Sequence, residues 1–446
     1  MKGHQPAAVT LRAAIESFAF HGDSRPALRG VDIVAAPGSL TAVLGGSGSG
    51  KSTFGRLLGG WLAGGRDGTL KGRLQLESGG EPEAWRPLVF SGADNDPQLD
   101  PATWAEHVGY VPQDPAAMLS AVRATVEGEL AFGLENRGTE RAEMVRIVAE
   151  AARRTGLAGL LERDPATLSG GELRRLSVGC ALVADPAVLI LDEPLASLDS
   201  DGTRTVTELV TAELARGTAV VVLSQSADPL TRSAEHWLVL DDGAATAAGP
   251  PDRLLAGGEL ARSGVVVSEP SGPPPVQGQP PVQAQQSVQS RHRPCPATGP
   301  APALELDGVC FGFGAKDAGR PLLLENADLA VWPGEIVAVT GPNGAGKSTL
   351  LRMFNGLLRP LRGEVRIGGE GIAGVPTGIV AQRLGLLFQH PHDQLFERTV
   401  FREVMFGLDR MFGDEAAARA GDALESVGLG AAGSIHPHEL SGSGQR

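Results

Sequence analysis

No stretch of this sequence approaches the ~18 consecutive apolar residues of a membrane-spanning helix, so no segment is expected to cross a bilayer. The start, "MKGHQPAAVTLRAAIESF", lacks the apolar core of a secretory signal, and none is expected. Cysteine is scarce. Cys180, Cys295 and Cys310 stand at no paired or metal-ligand spacing, which argues against a disulfide framework and suits a reducing compartment. Positive charge is short too: 39 Lys and Arg face 52 Asp and Glu, a net charge of −13, so nucleic acid is not an expected partner. The chain is expected to be soluble, and its 446 residues suffice for two or three domains with full cores.

What the sequence does contain is a long-range repeat. "LTAVLGGSGSGKST" at Leu40–Thr53 returns as "IVAVTGPNGAGKST" at Ile336–Thr349, with Lys51 and Lys347 separated by 296 residues. The lead-ins "PALRGVDIVAAPGSL" and "PLLLENADLAVWPGEI" match, as do "VGYVPQDP" with "TVEGELAFGLENRG" and "LGLLFQHP" with "TVFREVMFGLDRMF". One fold is therefore expected twice, over residues 1–267 and 304–446. Between them, 268–303 is rich in Pro, Gln and small residues and cannot build a core, so it reads as a linker of roughly 30–35 Å average span.

In the first copy, Leu40–Leu44 reads as a buried strand and Lys51–Leu62 as a helix. "VLILD" (Val188–Asp192) and "TAVVVLS" (Thr218–Ser224) read as further buried strands. Val206, Leu209, Val210 and Leu214 fall at helical spacing between them. Strands alternating with helices predict an α/β class with a mainly parallel sheet.

Both repeated runs fit the phosphate-binding pattern G-x-x-x-x-G-K-[ST]. The first comprises Gly45, Gly46, Ser47, Gly48, Ser49, Gly50, Lys51 and Ser52, with Thr53 beyond it. The second comprises Gly341, Pro342, Asn343, Gly344, Ala345, Gly346, Lys347 and Ser348, with Thr349 beyond it. Glycines let the backbone wrap a polyphosphate, and the helix N-terminus adds positive potential. Lys51 and Lys347 would hold the β- and γ-phosphates of ATP, and Ser52 and Ser348 would coordinate Mg²⁺. In "LILDEPLASLD", Asp192 would help hold the ion through its water shell, and Glu193 would polarise the attacking water as general base.

With "LSGGE" at Leu168–Glu172 upstream of that run, the sequence resembles the nucleotide-binding domains of ABC ATPases over nearly its whole length outside the linker. The resemblance implies two P-loop domains, each with a mainly parallel core, an antiparallel β subdomain and a helical subdomain. It implies that Ser169, Gly170 and Gly171 open the signature helix and meet the γ-phosphate held by the opposite domain, the two domains pairing head to tail. Gln113 and Gln389 match the family's Q-loop glutamine, which senses Mg²⁺ or water. Ser197–Asp199 matches the D-loop, and Phe20 and Phe313 fall where an aromatic ring stacks on adenine. Gln225 stands where the family usually has a switch histidine, which leads us to expect slow hydrolysis at the first site.

"LGLLFQHPHDQLFERTVFREVMFGL" looks like the Q-loop region of energy-coupling-factor ATPases, which power uptake of vitamins, vitamin precursors or transition-metal ions in prokaryotes. That likeness implies a membrane scaffold and a substrate-binding membrane subunit as partners, and a peripheral place on the cytoplasmic face of the plasma membrane. Three other readings stay open. They are a generic ABC importer ATPase, a translation-associated ABC protein, which the nearly uncharged linker disfavours, and an inactive interaction protein. The closing "HPHELSGSGQR" resembles the signature with Ser443 inserted, Ser441 and Gly442 being the expected phosphate contacts. No Asp–Glu pair in the expected context follows Gln389 in this chain, so the second copy is expected to be incomplete, with those residues beyond position 446.

Overall fold

A computed structural model describes residues 9–23, 25–78, 87–93, 95–267, 301–313, 322–341, 344–388, 394–440 and 444–445. The chain divides into two compact units, Met1–Gly272 and Pro273–Arg446.

The first unit is built on one ten-stranded sheet. Its strands are β1 (Val9–Phe20), β2 (Leu28–Ala35), β3 (Leu40–Leu44), β4 (Gly68–Ser78), β5 (Leu88–Ser91), β6 (Val108–Val111), β7 (Val188–Asp192), β8 (Ala219–Ser224), β9 (His236–Asp241) and β10 (Ala244–Gly249). Their order across the sheet is β5-β4-β1-β2-β10-β9-β3-β8-β7-β6. β9, β3, β8, β7 and β6 run parallel, and β1, β2, β4 and β5 form an antiparallel wing.

Burial explains the two strand types. β3, β7 and β8 are buried at every residue, because both faces of the parallel region are covered. Val43, Val188, Ile190, Val221 and Leu223 enter the core on one face, while Ala42, Leu44, Leu189, Leu191 and Val222 enter the core on the other, the period of two that a strand imposes. Each fully buried Val or Leu contributes about 1.5–3 kcal/mol. β1 instead alternates buried and exposed residues over most of its length. A third core gathers Val126, Leu130 and Leu134 of helix Val126–Asn136, Val148 and Ala152 of helix Arg141–Arg154, and Leu176 of helix Gly170–Leu182.

Register brings the loops that follow these strands to one edge. Leu44 stands beside Ser224, Leu223 beside Asp192, and Leu191 beside Val111. The residues after each strand end (Gly45, Gln225, Glu193 and Gln113) are thus neighbours by topology.

The helix expected over Lys51–Leu62 ends earlier, at Leu58. Gly60 takes φ +74°, its N–H reaches Leu57 O, and Trp61 N–H reaches back to Arg56 O at 2.8 Å, a glycine-terminated end.

The second unit holds a four-stranded antiparallel sheet, β12-β11-β13-β14, made of β11 (Leu304–Phe311), β12 (Leu324–Val331), β13 (Arg362–Ile367) and β14 (Glu370–Gly371). Its core sets Leu306, Val309, Phe311 and Val365 against Leu350, Met353 and Phe354 of helix Lys347–Phe354. Here the structure departs from the repeat. Ile336–Thr340 matches β3 yet is not a strand, and Ile336 is 98% exposed. β3 is held between β8 and β9, whereas no strand pairs with this run among the described residues of the second unit. A buried strand of this kind needs its ladder partners.

Candidate nucleotide site

In the first unit the loop Gly45–Ser52 joins β3 to the helix Lys51–Leu58. Gly45 admits no side chain, since a Cβ there would lie 2.4 Å from both Leu240 O and Ser49 Oγ. Gly50 precedes the helix at φ +94°, in the left-handed region that glycine enters without strain. Backbone bonds fix the loop: Gly45 N–H donates to Ser224 O at 3.3 Å, Gly46 N–H to Ser263 O at 2.8 Å, and Gly243 N–H to Ser49 O at 3.1 Å. Ser47 and Gly48 form its exposed tip, and Thr53 lies in the helix.

Lys51 is 5% exposed, and its ammonium donates to Gly45 O and Gly46 O at 2.8 Å each. Burial pushes its pKa down, opposed by the charges of Glu193 and Asp192. A polyphosphate entering the loop would offer this ammonium stronger acceptors than neutral carbonyls.

Asp192 ends β7 at 1% exposure. Tyr110 donates its hydroxyl proton to Asp192 Oδ2 at 3.1 Å, while Oδ1 is buried without a hydrogen-bond partner among the described residues. Burial raises the Asp192 pKa against hydrogen bonds from Ser52 and Tyr110. Glu193 adopts φ +49°, and its N–H donates to Leu223 O at 2.8 Å. Burial pushes its carboxyl up to about 7, with Lys51 opposing, and Oε1 has no hydrogen-bond partner among the described residues. It lines a cavity of about 250 Å³ with Ser224, Ser226 and Asp228. An orphaned carboxylate oxygen beside the Ser52 hydroxyl is an all-oxygen donor set, which fits Mg²⁺. A raised carboxyl opening on a cavity fits a base that accepts a proton from water.

Gln113 follows β6 with its side chain exposed. Gln225 meets Glu193 through its backbone N–H, which donates to that carboxylate, and Val266 N–H donates to Gln225 O at 2.8 Å. Phe20 packs partly buried against Phe18, edge to face at 5.0 Å. Ser169 caps helix Gly170–Leu182, which begins with Gly170 and Gly171. Ser169 Oγ accepts from Glu172 N–H at 3.3 Å, and Ser169 N–H donates to Glu172 Oε2 at 2.7 Å. Glu172 thus closes a capping box and occupies the Ser169 N–H itself.

In the second unit Lys347 Nζ donates to Gly341 O at 2.8 Å, as Lys51 does to Gly45 O. Gly344 and Gly346 take φ +80° and +91°, close to +78° and +94° at Gly48 and Gly50. Ala345 and Ser348 are exposed, and Ser348 and Thr349 lie in the helix. Phe313 is 60% exposed, edge to face with Phe311 at 5.0 Å. Pro342, Asn343, Gln389, Ser441 and Gly442 lie outside the described residues.

Sequence reasoning missed four residues that shape these loops. Tyr110 is one. Arg174, buried on the helix that Ser169 caps, has no hydrogen-bond partner for Nη1 among the described residues and feels the charges of Asp192, Asp114 and Glu193. Glu129 accepts from Ser120 N–H and Ser120 Oγ–H at 2.9 Å each. Glu403, its match in "TVFREVMFG", accepts from Phe396 N–H at 2.9 Å and Glu397 N–H at 2.7 Å. The signal was the shared Glu of the two quoted runs. A larger concavity of about 580 Å³ lies on the antiparallel wing beside Arg12, Asp32 and Arg73, away from every expected site residue.

A family model described as "ABC transporter" matches residues 28–196 and 324–446. A provisionally named ABC transporter ATP-binding protein of Methanosarcina acetivorans is 30% identical over 427 residues, covering 95% of this chain and 74% of that one. One of Streptomyces avermitilis is 31% identical over 466 residues, covering 96% and 79%. A solved structure, cbiO1 from Clostridium perfringens, part of the ABC transporter complex cbiONQ, is 26% identical, covers 58% of this chain and 94% of that one, and gives a TM-score of 0.45.

Proposed function

The chain belongs to the ABC transporter family of ATP-binding proteins, and on that premise we propose that it hydrolyses ATP at its first loop to energise an importer of the energy-coupling-factor type. The observation that carries the reading is the convergence of the buried Lys51 and Asp192 with the half-buried Glu193 at the strand ends. Lys51 would bind the β- and γ-phosphates, Ser52 and Asp192 would hold Mg²⁺, and Glu193 would take the proton of the attacking water. Bound there, Mg²⁺ would supply charge neutralisation on the phosphate oxygens.

The importer class rests on "FQHPHDQLF" followed by "TVFREVMFG". A vitamin, a vitamin precursor or a transition-metal ion is the cargo class that this resemblance implies. The partners would be a membrane scaffold and a substrate-binding membrane subunit, met on the cytoplasmic face of a prokaryotic membrane. Residues 1–267 and 304–446 would act as two nucleotide-binding domains pairing head to tail. In this pairing the second loop, with Lys347, Ser348 and Gln389, would be completed by Ser169 and Gly171.

The experiment is ATP turnover by the full chain. Lys51→Ala should abolish turnover at the first loop, and Gln225→His should raise turnover several-fold. Equal rates for wild type and Gln225→His would overturn the slow-site reading. Co-expression with membrane proteins encoded beside this gene should yield a detergent-stable complex, and its failure would remove the importer class while leaving the ATPase.

A further inference from the structure

Tyr110 is the one tyrosine of the 446-residue sequence. It stands on β6 opposite Ile190 of β7, three residues before Gln113 and buried at 3% exposure. Two glycines of the first loop's helix and its end make room for its ring. A Cβ on Gly59 would lie 2.6 Å from Tyr110 Cβ, and one on Gly55 would lie 3.1 Å from Cε2. Trp61 closes the slot edge to face, at 5.0 Å and 73°. A ring so confined has little freedom to swing, and its hydroxyl is aimed at Asp192 Oδ2, 3.1 Å away.

We propose that Tyr110 is a positioning residue that holds the Asp192 carboxylate by one oxygen, so that the other is presented to the Mg²⁺ of the nucleotide complex. Oδ1 is the buried oxygen that has no partner among the described residues. The phenol donates its O–H proton to that carboxylate, which has only acceptors to offer. Asp192 does not need to search rotamers when the ion arrives, because its orientation is set beforehand. The same strand, which ends at Val111, leads into Gln113. The repeat does not share the device: in "LGLLFQ" the residue matching Tyr110 is Leu386, which has no hydroxyl to donate. The inference rests on Asp192 being the Mg²⁺-holding carboxylate.

The test uses the full chain carrying Lys347→Ala, so that nucleotide binds at the first loop. Mn²⁺ binding to the complex with a non-hydrolysable ATP analogue is followed by electron paramagnetic resonance. Tyr110→Phe keeps the ring in its glycine slot and removes the hydroxyl alone. Its metal-free affinity for the analogue should be unchanged and its Mn²⁺ dissociation constant raised about tenfold, the usual effect of losing an outer-shell partner. A rise of threefold or more carries the proposal, and anything smaller overturns it. Asp192→Asn separates the two ideas. Normal Mn²⁺ binding by that variant overturns the underlying site reading. Lost binding there with unchanged Tyr110→Phe overturns the tyrosine's role alone. A second measurement does not depend on the folding of Tyr110→Phe. The chain grown with 3-fluorotyrosine carries fluorine at Tyr110 alone, whose ¹⁹F signal should shift when Mg²⁺ joins the bound analogue, and a signal that stays put overturns the proposal.

Discussion

Glu193 is held in a state that costs stability, and the cost should depend on pH. Burial pushes its carboxyl from 4.5 up to about 7, and Oε1 has no hydrogen-bond partner among the described residues. Because the folded value lies above the unfolded one, the folded chain holds this proton more tightly. Well below pH 4.5 both states are protonated and there is no penalty. As pH rises the unfolded chain ionises first, and above pH 7 both are ionised and the penalty is complete. A shift of this size costs about 3 kcal/mol at pH 8.5 and about 1 kcal/mol at pH 5, at 1.36 kcal/mol per pKa unit. Glu193→Gln keeps the shape and removes the charge. In the full chain free of nucleotide and Mg²⁺, it should raise the melting temperature of the first unit by roughly 6–12 °C at pH 8.5 and roughly 2–4 °C at pH 5. Calorimetry at the two pH values checks this. A gain that is the same at both pH values, or no gain at pH 8.5, would refute the claim that burial of the charge is what strains the site.

The same carboxyl sets an acid limit on turnover. If Glu193 accepts the proton of water, kcat/KM for ATP should fall as pH drops below about 7; a profile flat to pH 5.5 would show another base. Arg154→Ala should cost about 1–3 kcal/mol, since it removes the hydrogen-bonding partner of a buried carboxylate: Glu213 is 1% exposed and among the described residues would keep only Arg216, 3.7 Å away, as its cation. Urea unfolding measures that loss, and adding Glu213→Gln should recover part of it; no recovery would put the loss on packing. Gly59→Ala should destabilise the first unit by about 1–3 kcal/mol through overpacking against Tyr110, despite alanine's better helix propensity. A neutral result would mean the Tyr110 slot is looser than the 2.6 Å approach implies.

Much of the first site was legible because its parts are local. A run such as "LGGSGSGKST" specifies a strand end, a turn that needs glycine and a helix start within one stretch of chain, and the structure forms all three. "VLILD" likewise becomes β7, buried at every residue. The Ser169 capping box was readable in principle from Ser and Glu at the right spacing, yet its consequence, a Ser169 N–H already engaged by Glu172, needs the geometry. The apolar spacing of Lys51–Leu62 runs past the Gly59–Gly60 pair, yet the helix stops at Leu58, because the glycines terminate it. The second copy shows the limit of reading by homology between repeats. Ile336–Thr340 has strand composition but no ladder partners among the described residues.

The sequence by itself determined the α/β class, the repeat, the two phosphate loops and the acidic pair at Asp192 and Glu193. These are set by short-range backbone requirements and by which side chains avoid water. Only the tertiary structure decided which distant residues act on that pair. Tyr110 lies 82 positions before Asp192 and reaches Oδ2; Gln225 contributes a backbone N–H to Glu193; Arg174 brings the charge of a buried guanidinium from another helix. Parallel strand register sets these meetings, and register depends on the packing of both sheet faces at once, which no local pattern encodes.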